Sequence, residues 1–131
     1  MIEEKAVTAQ DETRRVVEDY FAAWTSNKID EACTYLADDL KIAGPTASYD
    51  SAAAFRPALV QFAAMTRRAR AIELIVQGER AALLYECELP QPIGTVKIGS
   101  FFEVKGGKIR TYEILFDATE LRKLQAQRQQ A

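Results

Sequence analysis

At 131 residues the chain has the size of one domain, large enough to bury a core. Its 48% hydrophobic and 27% charged residues describe an ordinary folded protein, and a formal charge of −2 gives no pull toward nucleic acid or an anionic membrane. The lack of any histidine excludes Ser-His-Asp and Cys-His catalysis, histidine proton shuttles and most transition-metal sites. Cys33 and Cys87 have no CxxC spacing and fall in apolar patterns, which suits buried small hydrophobes better than a disulfide or a metal pair. The acidic opening MIEEKAV has no apolar run, so no signal peptide is expected. No segment reaches membrane-spanning length, and the expected compartment is the cytoplasm.

In chain order, residues 1–7 read as a loose lead-in. Thr8 followed by Asp11 resembles a capping box, which predicts a first helix from residue 9 to about 26. Along it Val16, Val17, Tyr20, Phe21 and Trp24 form one wide apolar stripe. Asn27 is the predicted N-cap of a second helix, with Ile29, Ala32, Cys33 and Leu36 on one face and Asp38-Asp39 at its end. Leu40 and Ile42 then alternate as a short strand, and Gly44-Pro45 turns the chain into a loop that carries Tyr49. Pro57 breaks a helix interior but suits a first turn, so the third helix is predicted to start at about Arg56. Leu59, Val60, Phe62, Ala63 and Met65 should face inward, and the helix should end among Arg67, Arg68 and Arg70, cations that complement its dipole.

The period then changes from 3.6 to 2. Strands are predicted over 71–77, 80–89, 95–104 and 108–116, turning at Gly78-Glu79, Pro90-Gln91-Pro92 and Gly106-Gly107. Asp117 and Glu120 look like the cap of a terminal helical segment, followed by a polar tail over 125–131. Three helices and then an antiparallel meander define an α+β layer fold in which two angled helices form the wall of a cone that the sheet must close, the whole chain 1–131 being one domain.

Register assigns the faces. A two-residue loop at Gly106-Gly107 would mix core and surface residues, whereas a three-residue loop with Gly107 as the bulge sorts them. The second choice places Val96, Ile98, Ser100 and Phe102 on one face with Arg110, Tyr112, Ile114 and Phe116, joined by Leu83, Tyr85 and Cys87. The outer face keeps Leu84, Phe101 and Leu115 among Glu86, Lys97, Glu103 and Glu113, a half-apolar surface that suits a homodimer through the sheet.

The segments YFAAW, IDEA, LADD and GP, followed by a long meander closing on KGGKI and ILFD, resemble the SnoaL-like and ketosteroid-isomerase-like proteins of the nuclear transport factor 2-like superfamily. The resemblance spans Thr13 to about Leu124 and implies a cone-shaped fold with the three helices packed in a curved, mainly antiparallel sheet, a ligand cavity at the wide end of the cone, and dimers through the sheet. The superfamily holds isomerases, cyclases, dehydratases, epoxide hydrolases and noncatalytic modules, so the fold does not name a reaction. In the isomerases a tyrosine of the first helix donates to the developing oxyanion, and Tyr20 stands at the matching position. Their carboxylate base precedes the proline after the short strand, where this chain has Gly44. Their protonated aspartate on the third meander strand is matched by Ser100. A steroid-type isomerase is thereby disfavoured, since proton abstraction beside a carbonyl needs a positioned base. The paired aspartates and arginine of the epoxide hydrolases find no match on the concave face.

Two residues are candidates for catalysis, Tyr20 and Asp117. Tyr20 is either an oxyanion donor or a core tyrosine with its hydroxyl at the cavity edge; Asp117 is either a base at the mouth or a helix cap. The candidate ligand-lining residues are Trp24, Tyr49, Phe62, Tyr85, Cys87, Ser100, Phe102, Tyr112, Ile114 and Phe116. Arg110 is expected at the rim, paired with an anionic ligand group, with Glu103 or with a tail carboxylate. No metal, nucleotide or redox cofactor is implied. The expected ligand is a small apolar or aromatic molecule, and the alternative is a noncatalytic module that dimerises or binds a partner.

Overall fold

Thr8 opens the first helix, its hydroxyl accepting from the Asp11 amide at 3.0 Å, and α1 runs over Ala9–Thr25. The protein is described by a computed structural model covering residues 8–130, with the side chains of 129 and 130 undescribed, so the expected loose lead-in lies outside the described residues. Val16, Val17, Tyr20 and Trp24 are buried along one face of α1, as their spacing predicts. The buried Thr13 hydroxyl sits 2.8 Å from the carbonyls of both Ala9 and Gly78, fixing α1 against the sheet.

The connection to the second helix differs from the sequence expectation. Asn27 is not a cap; it takes a left-handed φ of 61°, which asparagine tolerates better than most residues. The Lys28 amide donates to Ala23 at 2.8 Å and the Asn27 amide to Trp24 at 3.1 Å, the paired bonds of a Schellman ending. Helix α2 is a single short turn, Ile29–Cys33, with Lys28 at its N-cap position making no side-chain cap bond. Leu36, Asp38 and Asp39 belong instead to strand β1, Leu36–Ala43, because β1 pairs parallel with the last strand and takes its backbone bonds there. A register shift between Leu36 and Lys41 leaves Asp38 and Asp39 exposed while Leu36, Leu40 and Ile42 stay buried.

After the turn at Gly44, a two-residue strand β2, Ser48–Tyr49, adds to the sheet edge. Helix α3 spans Ala52–Met65, four residues earlier than expected, because the Ser51 hydroxyl accepts from the Ala54 amide at 3.0 Å and caps it there. Pro57 is consequently inside the helix. Phe55, Leu59 and Ala63 are buried, whereas Val60, expected inward, is 42% exposed. The arginines do not end this helix. Arg68 and Arg70 lie on strand β3, Arg68–Gln77, and face Glu88 and Glu86 across the neighbouring strand at 3.8 and 2.9 Å.

The meander continues with β4 (Arg80–Glu88), β5 (Thr95–Lys105) and β6 (Lys108–Leu115), and closes with helix α4, Thr119–Gln130, which takes up most of the expected polar tail. The sheet order is β2-β1-β6-β5-β4-β3, antiparallel except for β1 beside β6. It is an α+β cone with a curved, unclosed sheet around the helices.

The β5–β6 hairpin reaches the expected parity by another route. Lys105 pairs with Lys108, so the loop is the two-residue Gly106-Gly107, and the extra residue is Arg110, between the pairs Glu103–Thr111 and Val104–Ile109. Ile109 and Tyr112 are therefore both buried, while Arg110 is exposed and pairs with Asp39 at 3.5 Å rather than standing at a ligand rim. From Thr111 onward the parity is as expected: Phe102 faces Tyr112, Ser100 faces Ile114, and Glu113 is exposed.

Candidate functional site

Four hydroxyls meet where α1 crosses the sheet. Helical spacing brings Tyr20 down from α1, and strand alternation raises Tyr85 from β4, Ser100 from β5 and Tyr112 from β6. All four residues are buried. The Tyr20 hydroxyl donates to that of Tyr112 across 3.3 Å, and the Tyr85 hydroxyl lies 3.4 Å from Ser100 Oγ. Phe102 stacks on the Tyr112 ring at 4.7 Å, and Tyr20 meets that ring edge-on at 5.6 Å. Burial pushes all three phenols well above their ordinary value of 10, so each is a neutral hydrogen-bonding group across the physiological range. Burial likewise pushes the Cys87 thiol up to about 12.

Beside this cluster a pocket of about 450 Å³ lies between the concave face of the sheet, α3, the 44–49 turn and α4. Its wall is aromatic. Trp24 packs against Phe62 at 5.9 Å and Tyr85 at 6.1 Å, Phe62 against Phe116 at 6.3 Å, and Phe55 against Tyr112 at 5.9 Å. Tyr85 and Tyr112 bring their phenols to it, and the charged residue among its lining is Arg128 of α4; no carboxylate is among the described lining residues. Helix α4 crosses the pocket with Leu121 and Leu124, and Arg122 ties it to the turn by donating to the Pro45 carbonyl at 2.5 Å.

Of the ligand-lining candidates, Trp24, Tyr49, Phe62, Tyr85, Tyr112, Ile114 and Phe116 come together around this pocket. Cys87, Ser100 and Phe102 are buried on the same sheet face and are not among its lining. Tyr20 is also outside the lining, one hydroxyl removed through Tyr112. Asp117 lies on the surface, where its carboxylate accepts from the Thr119 hydroxyl at 2.6 Å and amide at 3.1 Å; those bonds, with Arg122 nearby, hold it below the usual carboxylate range. Phe55 and the α4 residues escaped the sequence reading. The signals for them were Ser51 as a cap, with Phe55, Leu59 and Phe62 at helical spacing behind it, and the spacing of Leu121, Leu124 and Arg128. Among the described residues no cluster of three or more His, Cys, Asp or Glu could hold a metal ion, and no helix is long and apolar enough to cross a membrane.

The sequence pattern of the SnoaL-like domain family matches residues 17–112. The chain belongs to that family. Comparison with curated protein sequences finds no match. Among solved structures, a protein from Kribbella flavida DSM 17836 superimposes with a TM-score of 0.81 at 23% identity, covering 96% of this chain and 100% of its own. A candidate ketosteroid isomerase from the same organism gives 0.72 at 19%, covering 86% and 82% of the two chains. An LEH-like epoxide hydrolase from M. tuberculosis gives 0.71 at 19%, covering 87% and 89%. At these identities the likeness is one of fold.

Proposed function

We propose that this is a small-molecule-binding protein whose pocket takes a compact apolar or aromatic ligand and orients it by hydrogen bonds to Tyr85 and Tyr112. The observation that supports this most is the pairing of an aromatic wall with neutral phenols and no carboxylate among the described lining residues. A volume of about 450 Å³ falls within the range of ordinary ligand pockets. Proton abstraction beside a carbonyl needs a base active near neutral pH, and phenols held above 10 do not provide one. The reading is that of a binding site in a cytoplasmic protein.

One observation favours a second reading, isomerase- or cyclase-type chemistry. The Tyr20 hydroxyl donates to Tyr112, whose own proton can then point at a ligand carbonyl, making Tyr112 the polarising donor and Tyr20 its positioning partner. Asp117 serves as base in that reading only if it reaches the ligand directly or through one water, which a crystal structure of a complex would reveal.

Trp24 is the chain's single tryptophan and lines the pocket, so its fluorescence reports occupancy directly. Titration with 4-phenylbutyramide should change that fluorescence saturably, and Ala58→Phe, which fills the pocket from α3, should abolish the change while far-UV dichroism stays native. A flat titration, or one that Ala58→Phe leaves intact, overturns the proposal.

A further inference from the structure

Helix α4 turns one face to the pocket. Leu121, Leu124, Gln125 and Arg128 all line it, and their spacing of three, four and seven residues places them along one side of a helix. The other cations of α4 are committed to the protein: Arg122 donates to the Pro45 carbonyl, and Lys123 pairs with Glu120 at 3.4 Å. Arg128 has no ion pair or hydrogen bond among the described residues, and no acidic side chain among the described lining opposes it. A wall of low polarity beneath a lone guanidinium strengthens its pull on an anion. The planar fork of arginine matches a carboxylate through two parallel hydrogen bonds.

The other polar side chains of the lining are neutral: Thr46, Tyr49, Gln61, Tyr85, Tyr112 and Gln125. We infer that the ligand is an amphiphilic monocarboxylate: a compact apolar or aromatic body seated against Trp24, Phe62 and Phe116, with its carboxylate held by Arg128. Arg128 is thus a specificity-determining residue of the pocket. The inference rests on the binding reading above and adds to it the charge and polarity of the ligand. A simpler role for a cation in the last turn of a helix is to complement the helix dipole. That role predicts no preference between an acid and its amide, which makes the two separable.

The test compares 4-phenylbutyrate with 4-phenylbutyramide at pH 7 and low ionic strength, read by Trp24 fluorescence on the full chain and on Arg128→Gln. Arg128 is exposed, so the expected preference is modest: the acid should bind about fivefold more tightly than the amide, the size of an exposed ion pair. Added salt should shrink the gap. Arg128→Gln should erase it by weakening the acid alone, with the amide unchanged. Equal affinities for acid and amide in the native protein, or a preference that survives Arg128→Gln, overturns this inference and leaves the binding reading standing. Failure of both probes to bind overturns the binding reading and this inference with it.

Discussion

At the scale of single residues, the Tyr20–Tyr112 contact couples fold and site. Each phenol is buried, and each hydroxyl finds its partner in another side chain of the cluster. Tyr112→Phe removes the acceptor of the Tyr20 hydroxyl and leaves a buried donor unpaired, which should cost about 1–3 kcal/mol in urea unfolding. The double variant Tyr20→Phe/Tyr112→Phe should cost less than the two singles added, since removing both partners leaves nothing unpaired; strict additivity would show that the pair does not interact. The same burial sets a pH dependence. The folded state holds three phenols above their unfolded value of about 10, so their contribution is fully present below pH 10 and is lost as pH rises past it. Unfolding free energy should fall between pH 10 and 11 by about 1 kcal/mol per phenol, and Tyr20→Phe should reduce that loss by one phenol's share.

At the scale of elements, the sequence pattern was most legible where period and burial agree. The stripe of α1 and the alternation of β4 and β5 are readable from apolar spacing alone, because each has one face on the core and one in water. The hydrophobic sorting of β6 also gave the right parity, although the bulge proved to be Arg110 and not Gly107. A bulge moves one residue out of register wherever it sits, so parity downstream carries no trace of its position. Helix α2 was read too long for a different reason: Leu36 continues a helical spacing, but it pairs with Ile109 of β6 at the start of a strand whose far end, Lys41 to Ala43, pairs with β6 again, and that pairing wins. Helix α3 was read too short because Pro57 was placed in a first turn. It stands instead in the sixth helical position after the Ser51 cap, where a proline lacks the helix amide and its ring generally crowds the carbonyl four residues back. Pro57→Ala should therefore stabilise the protein by about 1–2 kcal/mol, the helix gain exceeding the lost stiffness of the unfolded chain. A destabilised variant in thermal unfolding would mean that the proline relieves some strain in α3.

At the scale of the molecule, the cone has two faces of different character. The inner face holds the hydroxyl cluster and the pocket. The outer face exposes Ile75, Phe101 and Leu115 at 58%, 49% and 50%, an apolar strip between charged residues and a candidate surface for the homodimer that the sequence leads one to expect. Sedimentation should give a dimer that Phe101→Glu converts to monomer without loss of helix or sheet; a native monomer at all concentrations would contradict the dimer. The site itself was only partly readable from sequence. The sheet contributes by alternation and could be assigned, but the rest of the wall comes from α3, α4 and the 44–49 turn, whose positions depend on a serine cap and on the tie from Arg122 to Pro45. Helical spacing marks the apolar faces of α3 and α4 but not where either helix docks.

The central claim is that the inner face offers neutral hydroxyls, and no base, to a small apolar molecule. A crystal structure of the 4-phenylbutyramide complex tests it most directly. The expected result is the phenyl ring beside Trp24 and Phe62, the amide oxygen about 2.6–3.2 Å from the Tyr85 or Tyr112 hydroxyl, and no carboxylate within one water of it. An empty pocket with the probe elsewhere, or an Asp117 carboxylate reaching the probe, would contradict it.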